Sequence, residues 1–161
     1  MAAPPIVVKI GGSTLGSHDT TLKDLVTLQN QGVDVVVVHG GGNVISQWMQ
    51  RQGIPPQFVN GLRMTDEASL EIVVAVLTGL VNKELVAQMH ELGGRAIGIS
   101  GIDGGMLEAR VANPELGYVG EIATVNSGPI TALLSSGYMP MIAPLARQCQ
   151  DDSDHSGGPL N

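Results

Sequence analysis

The sequence has a single cysteine, Cys149, which excludes an internal disulfide and any zinc site built from several cysteines. It has no basic segment followed by a short apolar core near its start, so we expect no secretory signal. The longest apolar run, residues 72–81, is interrupted by Thr78 and Gly79 and is too short to span a bilayer. These absences favour a reducing compartment, and we expect a cytoplasmic location without membrane attachment.

Basic side chains are also scarce. The 8 lysines and arginines stand against 15 acidic residues, and a formal net charge of −7 is unsuited to neutralising the phosphates of a nucleic acid. We therefore exclude nucleic acid as a partner, although a small anion can still bind to backbone N–H groups. The 43% of apolar residues and the 22 glycines indicate a turn-rich α/β protein, and 161 residues suffice for one domain with a sizeable core.

Two apolar strands that end in glycines are the most informative feature of the sequence. The valine run 35–38 is followed by His39 and three glycines, and strand 6–10 is followed by Gly11 and Gly12. Valine runs are typical of strands covered on both faces. Glycines let the backbone approach a ligand, and a helix N-terminus directs free N–H groups at negative charge. The sequence therefore predicts two anion sites, which suits phosphoryl transfer to a carboxylate.

The segment between these strands, residues 20–30, has helical periodicity and is followed by Gly32. Strand, helix and strand form a βαβ unit, so we expect parallel strands and a right-handed crossover. The other predicted elements are helices over 43–52, 66–92 and 127–137, strands over 96–100, 106–111, 118–125 and 138–143, and an extended segment over 57–64. Residues 148–161 form a polar tail in which we expect no core.

Two basic residues are candidates for binding or catalysis. Lys9 lies in an otherwise apolar strand, so we expect its ammonium group at the carboxyl end, where it could neutralise a transferring phosphoryl group. Arg63 follows a glycine turn and precedes a helix, a position from which a guanidinium can clamp a carboxylate. For both residues a second interpretation stays open: an edge-strand lysine that points to solvent, and a solvated arginine.

Other enzyme classes fit the glycine turns less well. A histidine followed by glycines also builds the oxyanion hole of some α/β-hydrolases, but segment 98–102 lacks the last glycine of a nucleophile elbow. We therefore disfavour hydrolysis and expect His39 to be a structural residue at the end of its strand rather than a base. Neither a Walker A loop nor a dinucleotide fingerprint is present in the sequence.

Six segments, taken together and in this order, resemble the amino acid kinase family. They are residues 9–12, 39–42, 60–66, 79–83, 98–104 and 116–121. The resemblance covers residues 7–144 and implies an amino acid kinase (carbamate kinase-like) fold, a three-layer α-β-α sandwich with a mainly parallel sheet. It is strongest to members that use ATP to phosphorylate the side-chain carboxylate of N-acetyl-L-glutamate, giving N-acetylglutamyl 5-phosphate in arginine biosynthesis.

This resemblance assigns a role to each matching residue. It implies that Lys9 is catalytic and stabilises the transition state, and that Gly11 and Gly12 surround the ATP phosphates. The substrate-binding residues that it implies are Gly41 and Gly42 for the reacting carboxylate, Arg63 for the α-carboxylate, and Asn161. Mg²⁺ would be carried by the nucleotide, with no metal ligand from the protein.

In the family, an organising aspartate, a second catalytic lysine and the nucleotide-binding lobe follow the position of Asn161, the last residue here. The resemblance therefore implies that residues 1–161 are an N-terminal lobe for substrate binding and dimerisation, incomplete at the C-terminus and inactive alone. A homodimer is expected, with the apolar stretch 72–77 at or beneath its interface. Two alternatives stay open: a kinase of carrier-linked aminoadipate in lysine biosynthesis, although segment 60–63 favours acetylglutamate, and a non-catalytic fragment that binds acyl amino acids.

Overall fold

Four parallel strands form the central sheet of the computed structural model, which describes residues 4–11, 20–149 and 158–161. The strands are β1 (Ile6–Ile10), β2 (Val35–His39), β5 (Ala96–Ser100) and β8 (Met139–Ala143). They lie in the order β1-β2-β8-β5, and each adjacent pair is parallel. The βαβ unit and the mainly parallel sheet that the sequence predicts are confirmed.

One face of this sheet is covered by α1 and by a long helix. The elements are α1 (Thr21–Asn30), α3 (Glu67–Val74), a π-helical segment (Ala75–Val81) and α4 (Asn82–Glu91), the last three being continuous. Their apolar side chains form the largest core cluster together with Val35 and Val37 of β2. The helix predicted over 66–92 is confirmed, but the sequence does not reveal its π-helical turns. In the described part of the chain, no helix is long and apolar enough to cross a membrane.

The opposite face of the sheet is covered by α5 (Gly128–Ser135). Ile130 and Leu134 of α5 pack against the core residues Val36 and Ile142. Successive valines of β2 thus point to opposite faces, as a strand requires, and both faces are buried. The sheet lies between two helical layers, so the expected three-layer α/β architecture is present.

A second sheet packs beside the first. Its strands are β6 (Leu107–Val111), β7 (Gly120–Val125), β9 (Ala146–Gln148) and β10 (Pro159–Leu160), in the order β10-β9-β6-β7. The strands predicted over 106–111 and 118–125 are present as β6 and β7, and the structure pairs them antiparallel. The expectation that residues 148–161 contribute no core is wrong at Leu160, because pairing of β10 with β9 buries this side chain completely against Ala109 and Ala146. Residues 150–157 of the predicted tail lie outside the described residues.

Between β2 and α3 the chain forms helix α2 (Gly42–Arg51) and a hairpin of β3 (Phe58–Val59) and β4 (Leu62–Arg63). The segment predicted to be extended therefore reverses direction. Asn60 and Gly61 have φ angles of 51° and 82°, the left-handed backbone of a two-residue hairpin turn. The turn pairs Phe58 with Arg63, and this pairing fixes the position of the arginine.

Candidate active site

The two glycine turns lie side by side at one edge of the central sheet. Ile10 and His39 end β1 and β2 in paired register, and the N–H of Gly40 donates to the carbonyl oxygen of Ile10 at 2.9 Å. Gly11 therefore follows β1 at the edge where β2 also ends. Gly12 lies outside the described residues. Carboxyl ends of parallel strands are where open α/β sheets bind ligands, so this edge is the candidate site.

Gly41 and Gly42 have different surroundings. A Cβ atom at Gly41 would lie 2.8 Å from Leu77 Cδ2 and 3.3 Å from Val81 Cγ2, whereas a Cβ atom at Gly42 would meet no described atom within 4 Å. The π-helical segment thus packs directly on Gly41, and Gly42, the first residue of α2, faces open space. The first N–H groups of a helix have no partner inside the helix, so the open end of α2 suits an anion.

Arg63 lies against the beginning of α2. Its Nη2 donates to the carbonyl oxygen of Gly42 at 3.0 Å and to Ser46 Oγ at 2.8 Å, and its Nη1 donates to Met49 Sδ at 3.1 Å. The guanidinium carbon is 4.7 Å from the centre of the Phe58 ring, within range of a cation–π interaction. Burial lowers the pKa of Arg63, but an arginine stays charged in proteins. The structure thus brings together two of the predicted substrate-binding residues.

His39 is buried beside the glycine turn, with 1% of its surface exposed. Its Nε2 lies 2.9 Å from Asn82 Nδ2, and its Nδ1 lies 3.1 Å from the carbonyl oxygen of Gly40. Burial lowers the pKa of His39 below 6.5; the hydrogen bond to Gly40 opposes this shift, and the positive charge of Lys83 adds to it. The burial agrees with the interpretation of His39 as a structural residue rather than an exposed base.

Lys9 is exposed near the carboxyl end of β1, in register with Val38 of β2. β1 is one of the two outer strands of the central sheet. Lys9 therefore fits both interpretations of the sequence, because it lies on an outer strand and also close to the glycine turns. Its catalytic role stays a prediction.

Asn161 is tied by its main chain to the segment that carries Arg63. Its N–H donates to the carbonyl oxygen of Tyr118 at 3.1 Å, and the N–H of Tyr118 donates to the carbonyl oxygen of Thr65 at 2.8 Å. Asn161 Oδ1 is buried and has no hydrogen-bond partner among the described residues. An unsatisfied buried acceptor is costly, so this oxygen is suited to receive a donor from a ligand or from additional protein.

Ser100 does not have the surroundings of a hydrolase nucleophile. It is 6% exposed, and its Oγ donates to Asp103 Oδ2 at 2.9 Å. The two described histidines hydrogen-bond elsewhere, His39 with Gly40 and Asn82 and His90 with Ala96. The structure therefore offers no support for hydrolysis.

Sequence reasoning missed three contributors to this site. Ser46 and Phe58 contact the Arg63 guanidinium, and Asn82 contacts His39. A serine one turn into α2 and an isolated asparagine in an apolar helix are weak signals in a single sequence. Asn82 lies within segment 79–83, which contributes to the family resemblance, but the resemblance gives it no role.

Known proteins match this chain over most of its length. The family model described as the amino acid kinase family matches residues 4–158. An acetylglutamate kinase of Dehalococcoides mccartyi is 45% identical over 141 residues, covering 88% of this chain and 52% of the relative. An acetylglutamate kinase of Thermoanaerobacter sp. is 48% identical over 144 residues, covering 86% of this chain and 48% of the relative. The chain thus spans about half the length of the curated relatives it matches.

The fold has a counterpart among solved structures. A crystal structure from Streptococcus mutans UA159 matches with a TM-score of 0.83 and 27% identity, covering 96% of this chain and 62% of that chain. The family match and the structural match each cover nearly all of the chain. The chain therefore belongs to the amino acid kinase family.

Proposed function

We propose that this chain supplies the substrate-binding half of an acetylglutamate kinase, which transfers the γ-phosphoryl group of ATP to the side-chain carboxylate of N-acetyl-L-glutamate. The names of its curated relatives support this activity and its place in arginine biosynthesis. The observation that carries the proposal is the hydrogen bond between Arg63 and Gly42, because it holds a carboxylate-binding cation beside an open helix N-terminus. A substrate with two carboxylates could engage both.

In this proposal Arg63 and Asn161 bind the part of the substrate that does not react. Arg63 has five N–H donors, and its three hydrogen bonds to described residues do not use all of them, so the charged guanidinium can still donate to the α-carboxylate. The buried Oδ1 of Asn161 can accept a hydrogen bond from the N–H of the acetylated amine. Both groups discriminate in favour of an acylated amino acid with a free α-carboxylate.

The reacting groups meet at the edge of the sheet. The amides of Gly41 and Gly42 bind the side-chain carboxylate, and Gly11, Gly12 and Lys9 bind the phosphates of ATP. Exposed Lys9 beside a glycine turn fits an anionic group of that kind, and it can neutralise the charge that develops during transfer. When it is bound, ATP supplies the phosphoryl group, and the Mg²⁺ ion is carried by the nucleotide. Among the residues that the structure describes, no group of three or more His, Cys, Asp or Glu side chains is placed to hold a metal ion.

We also propose that the enzyme is cytoplasmic and that it forms a homodimer. The exposed side of the long helix supports the homodimer. Four residues of the apolar stretch 72–77 are buried in the chain's own core: Ile72, Val73, Val76 and Leu77. The residues of the π-helical segment that are exposed are Ala75, Gly79 and Leu80. Leu80 keeps 42% of its surface exposed, which is high for a leucine. A strip of small and apolar residues on one side of a helix suits close packing against a second copy.

A coupled assay of ADP release tests the activity. We would compare the 161-residue chain with a fusion in which the second half of the Dehalococcoides mccartyi relative follows Asn161, and use that relative itself as the positive control. The fusion should release ADP with N-acetyl-L-glutamate and much more slowly with N-acetyl-aminoadipate, and the chain alone should not. A folded fusion that is inactive on acetylglutamate, or that prefers aminoadipate, would contradict the proposal.

A further inference from the structure

A series of hydrogen bonds runs from helix α4 to the glycine turn. Lys83 Nζ lies 3.0 Å from Asn82 Oδ1, and Asn82 Nδ2 lies 2.9 Å from His39 Nε2. An ammonium group can only donate, so Asn82 Oδ1 faces Lys83 and its NH₂ group faces His39. The His39 ring then accepts at Nε2 and carries its proton on Nδ1, 3.1 Å from the carbonyl oxygen of Gly40. The series therefore ends on the backbone of the glycine turn.

Asn82 is fixed between two strands of the sheet. Its side chain is 1% exposed, and its amide also donates to the carbonyl oxygen of Met141 in β8 at 2.8 Å. A Cβ atom at Gly98 of β5 would collide with Asn82 Oδ1 and lie 2.9 Å from its Cγ. Glycine at position 98 therefore makes room for the amide, and the surrounding bonds hold it toward His39.

The same helix fixes the next residue of the turn by packing. Leu77 and Val81 belong to the π-helical segment and close over Gly41, where even a methyl group would be crowded. Val81 directly precedes Asn82, so adjacent residues of one helix pack on Gly41 and hold His39. π-helical turns are frequent at functional sites, where they change which side chains face a neighbour.

The geometry points to Asn82 and His39 as positioning residues, which fix the backbone at Gly40 so that the N–H groups of Gly41 and Gly42 face the reacting carboxylate. This inference rests on the proposed function, because it names what holds the glycine turn of that site. Asn82 and His39 are each 1% exposed, so they act through the backbone rather than by touching substrate.

Two replacements of His39 separate its two hydrogen bonds. The amide atoms of asparagine are as many bonds from Cβ as Nδ1 is, and those of glutamine as many as Nε2. His39→Asn therefore keeps the bond to Gly40, whereas His39→Gln keeps the bond to Asn82. In the fusion protein, His39→Gln should raise the Kd for N-acetyl-L-glutamate by roughly three- to tenfold more than His39→Asn does. A packing role alone predicts the reverse order, because glutamine is closer to histidine in volume, and that order would overturn the inference.

A measurement without substrate separates this inference from the proposed function. In isotopically labelled 161-residue chain, the His39 ring nitrogens should report a protonated Nδ1 and an unprotonated Nε2 by NMR. The amide signals of Gly41 and Gly42 should shift in Asn82→Asp, which can no longer donate to His39. Lys83→Met is a second variant for the same test. Because the Lys83 side chain is exposed, this variant should fold even if Asn82→Asp does not.

The matched control is His90→Gln. His90 lies on the same helix, but its Nε2 is 3.0 Å from the carbonyl oxygen of Ala96, at the opposite edge of the sheet. Its replacement should leave the amide signals of Gly41 and Gly42 unchanged. Equal shifts in this control, or no shift in Asn82→Asp and Lys83→Met, would overturn the inference. If the signals behave as expected but the unmodified fusion does not bind acetylglutamate, the proposed function fails and the positioning of the turn stands.

Discussion

The guanidinium of Arg63 donates to the carbonyl oxygen of Gly42 at 3.0 Å, which joins the hairpin of β3 and β4 to the first residue of α2. The two residues are 21 positions apart in the sequence. Because the bond ends on backbone, the distance between the arginine and the glycine turn is set by the fold. A site for a molecule with two carboxylates needs such a fixed distance.

Arg63→Ala should weaken binding of N-acetyl-L-glutamate much more than binding of ATP. A carboxylate that loses a charged hydrogen-bonding partner loses roughly 1.5 to 3 kcal/mol, or more than tenfold in Kd. Separate titrations of the fusion protein with each ligand measure both effects. Arg51→Ala is the matched control, since Arg51 ends the same helix α2 but lies over the Trp48 ring at 5.7 Å. Equal losses for the two ligands would place Arg63 outside the acetylglutamate site.

Lys9→Met should reduce kcat strongly in the fusion protein while the melting temperature stays nearly unchanged. The side chain is exposed on an edge strand, so its charge contributes little to folding. In the proposed mechanism, the same charge stabilises the negative charge that develops on the phosphoryl group. Steady-state kinetics and a thermal melt of the same sample check both halves of this prediction. Lys23→Met, at an exposed position of α1, removes the same charge elsewhere and should leave kcat unchanged. Turnover near that of the unmodified protein would remove Lys9 from the mechanism.

Alanine substitutions at the two glycines should separate stability from binding. Gly41→Ala should lower the free energy of unfolding by about 1 to 2 kcal/mol, because the new methyl group must displace Leu77 and Val81. Gly42→Ala meets open space at the start of a helix and should leave stability unchanged or slightly higher.

Denaturant unfolding and acetylglutamate titration distinguish these two effects. If Gly42 faces the reacting carboxylate, Gly42→Ala weakens acetylglutamate binding in a protein that is fully folded. Unchanged affinity in that variant would mean that the substrate lies elsewhere, whatever Gly41→Ala does to stability.

Much of this fold is predictable from local patterns, because the elements are specified by nearby residues. The valines of β2 and the helical pattern before Gly32 indicate the βαβ unit without any long-range information. Leu160 was missed because its burial depends on pairing with β9, which no local pattern specifies. The π-helical turns were missed for a similar reason, since the sequence pattern does not distinguish them from ordinary helix.

The candidate site also has residues that the sequence predicts and residues that only the structure reveals. Glycines after a buried strand indicate an anion site, so Gly41 and Gly42 could be proposed from sequence. The contact between Arg63 and Ser46 could not, because it depends on how the hairpin docks on α2. Asn82 is a single polar residue in an apolar helix, and its importance becomes visible only when His39 and Met141 are placed around it.

The buried His39 should make the protein less stable in mild acid. Its pKa is lowered in the folded chain, chiefly by burial, whereas in the unfolded chain it is near 6.5. Between these two values the unfolded state binds more protons than the folded state, so stability falls as the pH falls. The stabilisation by neutral His39 is complete above pH 6.5 and is lost as the pH drops toward the lowered pKa of the folded state.

Urea unfolding of the 161-residue chain at several pH values between about 7.5 and 5 measures this effect against His39→Asn, which cannot titrate. Carboxylates contribute equally to both proteins, so the difference in their free energies of unfolding isolates His39. As the pH decreases, the free energy of unfolding of the unmodified chain should fall relative to that of His39→Asn. A midpoint above 6.5 for the His39 ring, followed by NMR, would mean that the folded state accommodates the charged form, and it would contradict this prediction.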